Sequence, residues 1–150
     1  MWKGIEVVEA EGGYAAVMES TLSLADIPAK LMPLVDRVWA FIRAGGVDAH
    51  GHNIWIYHLR ADGQVDVQIG VQVPRPFVGR DSVVCAETPS GRAARAVHYG
   101  PYDQLPSVHS TLRAWCTERG LDITGDRWEL YGDHDPDPAK CRTDVYHGVK

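Results

Sequence analysis

No stretch of this 150-residue chain approaches the roughly 20 consecutive apolar residues that a membrane-crossing helix needs. The opening MWKGIEVVEAEGG lacks the apolar segment of a secretory leader. A cytoplasmic location without membrane association is therefore expected. Positive charge is also scarce: 15 Lys and Arg face 20 Asp and Glu, for a formal net charge of −5. With no basic stripe, the electrostatic footprint of direct nucleic-acid binding is absent. There are only three cysteines, Cys85, Cys116 and Cys141, far apart and with no C-x-x-C. An odd, scattered set fits buried thiols in a reducing compartment and not a disulfide framework. Seven histidines are present, yet none has recognised metal-ligand spacing. His50 and His52 sit in a glycine-bearing turn, and His134 lies in the loop GDHDPDP. Neither a metal site nor a cofactor is expected. Serines and cysteines have no recognisable nucleophile–histidine–acid setting.

What is present is an ordinary globular balance, 45% hydrophobic and 23% charged, sized for a single domain. Residues 5 to 20 read as one or two strands interrupted at Gly12-Gly13. Asp26 is placed to cap a helix running to about Ala44, with Pro28 in its first turn and an apolar stripe from Leu31 to Ile42. Pro33 predicts a kink or a late start. NIWIYHL and QVDVQIGVQV read as strands around the turn Ala61-Asp62-Gly63. Prolines 74 and 76 open a linker, about 74 to 82. SVVCAET and AARAVHY read as strands around Pro89-Ser90-Gly91. Asp103 is placed to cap a second helix, with Pro106 in its first turn and Gly120 as its stop. Two further strands follow, near 127 to 132 and 142 to 147.

The order of elements repeats. GVDAHGHNIWIY (46 to 57) aligns without gaps on GLDITGDRWELY (120 to 131), an offset of 74 residues. Gly46/Gly120, Asp48/Asp122, Gly51/Gly125 and Tyr57/Tyr131 are identical. The pattern predicts an α+β fold of two strand–helix–strand–strand halves, about 1 to 76 and 82 to 150, related by a pseudo-two-fold axis. Antiparallel sheets would carry the helices on one side and a ligand groove between the halves.

Alternation along the strands sorts DRWELYGD into two faces. Trp128 and Leu130 share one face with their equivalents Ile54 and Ile56, a plausible helix-facing core. Glu129 and Tyr131 share the other with Trp55 and Tyr57. Three aromatics and one acid converging on the axis make a cavity for a flat, lipophilic, often cationic molecule. The small residues of AARAV (93 to 97) could leave room for it. On residues alone, the competing reading is a solvated glutamate on an open face, with the aromatics filling shape.

HYGPYDQLPSVHSTLRAW, followed by GLDITGDRWELYGDHDPDPAKCRTDVYHGV, resembles the GyrI-like effector-binding domain. That family includes ligand domains of AraC- and MerR-type multidrug regulators and stand-alone gyrase-inhibitor-like proteins. The matching features are the His-x-Gly-x-Tyr segment (His98, Gly100, Tyr102), Trp115 on the helix, the Glu129-x-Tyr131 strand and Thr143-Asp144-Val145. Gly148 departs from the family's usual proline. The resemblance implies a tandem fold that binds a small organic molecule between its halves, with Glu129 in the pocket meeting cationic ligands. It adds His98 and Tyr102 to a ligand-binding set of Glu129, Tyr131, Trp55 and Tyr57. With no helix-turn-helix before the domain, transcriptional control by this chain alone is not expected.

Three functions follow as expectations. The first is sequestration or sensing of hydrophobic, planar or cationic molecules. The second is hydrolysis of strained electrophiles such as cyclopropanoid natural products, which the resemblance brings in, with Glu129 as general base and Tyr131 or Tyr57 as hydrogen-bond donor. The third is a protein partner such as a topoisomerase, suggested by the family name alone.

Overall fold

The computed structural model describes residues 4–150, apart from the side chains of residues 26–29. The expected Asp26 cap and Pro28 first turn lie outside the described residues. Along the chain come β1 (Glu6–Ser23), α1 (Ile27–Arg43), β2 (Asn53–Leu59), β3 (Gln64–Val73), β4 (Val84–Tyr99), α2 (Leu105–Glu118), β5 (Ile123–Tyr131) and β6 (Arg142–Val149). Short 3-10 turns lead into both helices. The expected α+β class is what forms: two helices on one side of antiparallel strands. The strands make one continuous sheet that closes on itself in the order β1-β3-β2-β5-β6-β4. Read from its middle, this order is the same in both directions by repeat half. β2 and β5 meet at the centre, and β1 and β4 close the ring.

The core follows the two periodicities of the sequence. Val65, Val67, Ile69, Val71 and Val73 alternate along β3 and are all buried. Leu31, Val35, Val38, Phe41 and Ile42 recur at helical spacing and pack α1 on that surface. Each such side chain contributes about 1.5–3 kcal/mol on full burial. In the second half, Leu105, Val108, Leu112 and Cys116 of α2 pack on Ala94, Ala96 and Val145. The small alanines bring α2 close to the sheet; they do not open the space expected of AARAV.

Several local expectations change. β1 runs unbroken through Gly12-Gly13, and β4 through Pro89-Ser90-Gly91. These two strands pair with each other from Glu6↔Arg95 to Val17↔Val84. The long ladder holds the glycines as bends, Gly12 at φ 74° and Gly91 at φ 100°, where an interruption and a turn between strands were expected. α1 continues through Pro33, which lies on its exposed side. Asp103 does not cap α2. It sits within the preceding 3-10 turn, and Gln104 occupies the cap position without a side-chain hydrogen bond. Pro106 takes the first turn as expected, and Gly120 ends the helix region at φ 67°.

The assignment of faces is reversed. Trp55 lies opposite Ile69 and Tyr57 opposite Val67; Glu129 lies opposite Val145 and Tyr131 opposite Thr143. Those partners belong to the helix-covered side, so Glu129 faces the helices. Ile54, Ile56 and Trp128 instead fill the inside of the ring with Ala15, Val17, Ala86 and Ala93. Trp128 stacks there on Tyr146, ring centroids 4.9 Å apart and 6° from parallel. A closed ring needs apolar side chains inside as well as under its helices. Alternation in β2 and β5 therefore separates two faces without saying which one the helices take.

Candidate functional site

α1 lies over β1 and β3, and α2 over β4 and β6. The central β2–β5 pair is left between them as a floor. Trp55 is both the cross-strand neighbour of Glu129 and its repeat equivalent at the 74-residue offset. The pseudo-two-fold axis therefore passes between these two residues.

Glu129 is only 5% exposed. Burying a carboxylate is costly unless donors satisfy it, and three do. The Tyr131 hydroxyl donates to Oε1 at 2.6 Å and the Tyr57 hydroxyl to the same oxygen at 3.1 Å. Nε2 of His109, on α2, donates to Oε2 at 2.9 Å. His109 Nδ1 in turn shares a hydrogen bond with Nε2 of His147 at 2.8 Å. The chain runs phenols, carboxylate, imidazole, imidazole. Burial, then the charge of Glu129, pushes both phenols upward, so they remain protonated donors. Burial, then the neighbouring His109, Arg127 and Arg113, pushes His147 down to about 3. His147 is therefore neutral at neutral pH.

Beside this network is a groove of about 580 Å³. Leu24, just before α1, together with Leu59, Leu105 and Pro106, gives it apolar walls. Tyr57, Glu129 and His109 supply its buried polar part, and Ser110, Arg113 and Arg127 add a hydroxyl and two guanidiniums. Burial lowers the pKa of Arg127, and the neighbouring charge of Arg113 adds to that. Arg113 donates to Ser110 Oγ at 3.2 Å.

Of the six expected ligand residues, Glu129 and Tyr57 line this groove. The other four lie elsewhere. Trp55 packs with Leu31, Val35 and Ile69 under α1. Tyr131 reaches Glu129 with its hydroxyl, but its ring sits edge-on between Trp55 and Tyr102, at centroid distances of 5.2 and 5.6 Å. His98 Nε2 donates to the Pro101 carbonyl at 3.2 Å, which fixes the turn that carries Tyr102. Sequence reasoning missed His109, His147, Arg113 and Arg127. The repeat offset held the signal: these residues stand where the first half has Val35, Val73, Trp39 and Asn53.

The two-helix, six-strand frame is that of a small-molecule-binding domain. The chain belongs to the GyrI-like family: the model of the GyrI-like small molecule binding domain matches residues 5–150. Among solved structures, the EcmrR C-terminal domain is similar at TM-score 0.78 and 16% identity, over 100% of this chain and 99% of that one. SAV2435, solved bound to tetraphenylphosphonium, is similar at TM-score 0.74 and 11% identity, over 99% and 94%. A hydrolase from Listeria innocua is similar at TM-score 0.60 and 11% identity, over 99% and 93%. No protein of curated function matches in sequence. Among the described residues, no helix is long and apolar enough to cross a membrane.

Proposed function

We propose that this chain binds a lipophilic small molecule in the groove between its helices, with the Glu129 network as the polar end of the site. One observation carries this reading. A groove of about 580 Å³, of the size that encloses a small organic ligand, opens beside a carboxylate held by two phenols and an imidazole. Leucines 24 and 59 are 55% and 48% exposed, apolar surface that a ligand would cover. Tetraphenylphosphonium, which SAV2435 holds, is a bulky lipophile suited to such walls. The test is a thermal-shift screen with aromatic lipophiles, repeated on Ser110→Trp. Ser110 is exposed on α2 and lines the groove, so an indole there should fill it without disturbing the core. Ligands should raise the melting temperature of the native chain by mass action and leave the variant unmoved. An equal shift in both proteins would place binding elsewhere.

A hydrolytic reading keeps one specific observation in its favour. The Glu129 carboxylate borders the groove and is held by hydrogen bonds from Tyr57, Tyr131 and His109, so it is oriented to take a proton from water. Tyr57 lies in the groove and could turn its hydroxyl to a substrate oxygen that gathers charge. Under this reading Glu129→Gln abolishes turnover of a strained electrophile and leaves binding largely intact, read by mass spectrometry of recovered ligand. Turnover surviving in that variant rejects Glu129 as the base.

A further inference from the structure

The two halves treat one pair of positions in opposite ways. In the first half Trp39, on α1, donates from Nε1 to Asn53 Oδ1 on β2 at 2.9 Å. That bond ties helix to strand. The 74-residue offset maps Trp39 onto Arg113 of α2 and Asn53 onto Arg127 of β5. The same helix–strand gap therefore holds two guanidiniums in the second half. Both line the groove. Among the described residues, no carboxylate lies at ion-pairing distance from either one. The Glu129 carboxylate favours the Arg127 charge from beyond that distance, and two guanidiniums against this one carboxylate in the groove lining leave room for a second anion.

Glu129 is not free to play the opposite part. Its oxygens already accept from Tyr57, Tyr131 and His109, so a cation entering the groove would gain no direct bond from it without displacing a donor and would also meet two guanidiniums. An anionic group gains from both guanidiniums, and a planar carboxylate suits their fork of donors. Leu24, Leu59, Leu105 and Pro106 would cover the remainder of such a molecule.

Resting on the groove reading above, we infer that the ligand of this chain is a lipophilic anion, an apolar body with one acidic head group, and that Arg113 and Arg127 select it. The charge preference is thereby opposite to the one the isolated glutamate suggested.

Tetraphenylborate and tetraphenylphosphonium offer one shape with opposite charge. Each is titrated calorimetrically in sodium buffer into the native chain, the double variant Arg113→Gln/Arg127→Gln, and Ser110→Trp. Neither arginine packs in the core, so the double variant is expected to fold. The native chain should bind the borate at least about tenfold more tightly than the phosphonium, a ratio set by charge alone. In the double variant the ratio should fall to about one or invert. Ser110→Trp should bind neither ion. Equal affinities in the native chain, or a preference for the phosphonium, would overturn the charge assignment while leaving the groove reading in place. A borate preference unchanged in the double variant would also overturn it. Binding of neither ion by the native chain would remove both readings together.

Discussion

The first half of this chain fills the place that the second half leaves open. Val35, Trp39, Asn53, Trp55 and Val73 of the first half correspond to His109, Arg113, Arg127, Glu129 and His147 of the second. On the first-half side Trp55 packs into the cluster beneath α1, and Trp39 bonds across to Asn53. On the second-half side the corresponding residues are ionisable and border the groove or the network behind it. The frame is shared: Leu31/Leu105, Val38/Leu112 and Ile42/Cys116 are buried at equivalent positions. The same fold thus carries one site closed by aromatic and amide side chains and one lined by charge. The difference lies in five side chains and not in the backbone order.

The sharpest way to break the comparison is to remove the acid alone. Glu129→Leu leaves two phenol hydroxyls and the His109 N–H without their acceptor. Each buried unsatisfied group costs about 1–3 kcal/mol, so a loss of about 3 kcal/mol or more is expected in urea unfolding. Restoring the apolar set of the first half should return part of it. His109→Val and His147→Val added to Glu129→Leu remove both imidazoles and put valines where Val35 and Val73 stand. If the triple variant is less stable than Glu129→Leu, the two halves do not share an interchangeable frame at these positions.

The next test uses pH. His147 falls from an ordinary value of 6.5 to about 3 on folding, whereas Val73 at the equivalent position cannot titrate. Below pH 6.5 the unfolded imidazole takes a proton that the folded one refuses until about pH 3. The unfolded state therefore binds more protons across this window, and stability rises with pH there. It is fully present above 6.5 and is lost as pH falls, by up to about 1.4 kcal/mol per unit. Burial first, then the neighbouring His109, Arg127 and Arg113, holds the group neutral. Unfolding free energies at pH 7 and pH 5 should differ by less in His147→Val than in the native chain. An unchanged difference would show that His147 is not the group responsible.

Much of the frame could be read in advance. β2, β3 and the turn between them fall where alternation and Gly63 put them, because both strands have one continuous buried face. The repeat was legible for the same reason: glycines and core positions obey one backbone. Glu129 was also legible, as an acid between Trp128 and Leu130 in a strand. The helix-covered face was not, since a closed ring buries side chains on both faces of β2 and β5. The histidines and arginines of the site escaped notice because single residues on amphipathic elements look like solvated ones. Only comparison at the repeat offset sets His109 against Val35 and Arg127 against Asn53.

The smallest expected effect separates the last pair. Asn53→Ala removes the acceptor of the half-buried Trp39 indole and should cost about 1 kcal/mol, the usual size of one such bond. Arg127→Ala changes the equivalent position in the other half, where the structure supplies no bond to lose. Burial and the charge of Arg113 both disfavour the Arg127 guanidinium in the folded chain. Its removal should therefore leave stability within about 0.5 kcal/mol of the native value, or raise it. One offset, one side-chain truncation and opposite signs would mark Asn53 as a residue that closes its site and Arg127 as one held open for a ligand. If Arg127→Ala destabilises the chain as much as Asn53→Ala, the arginine is structural, and the contrast between the halves at this pair disappears.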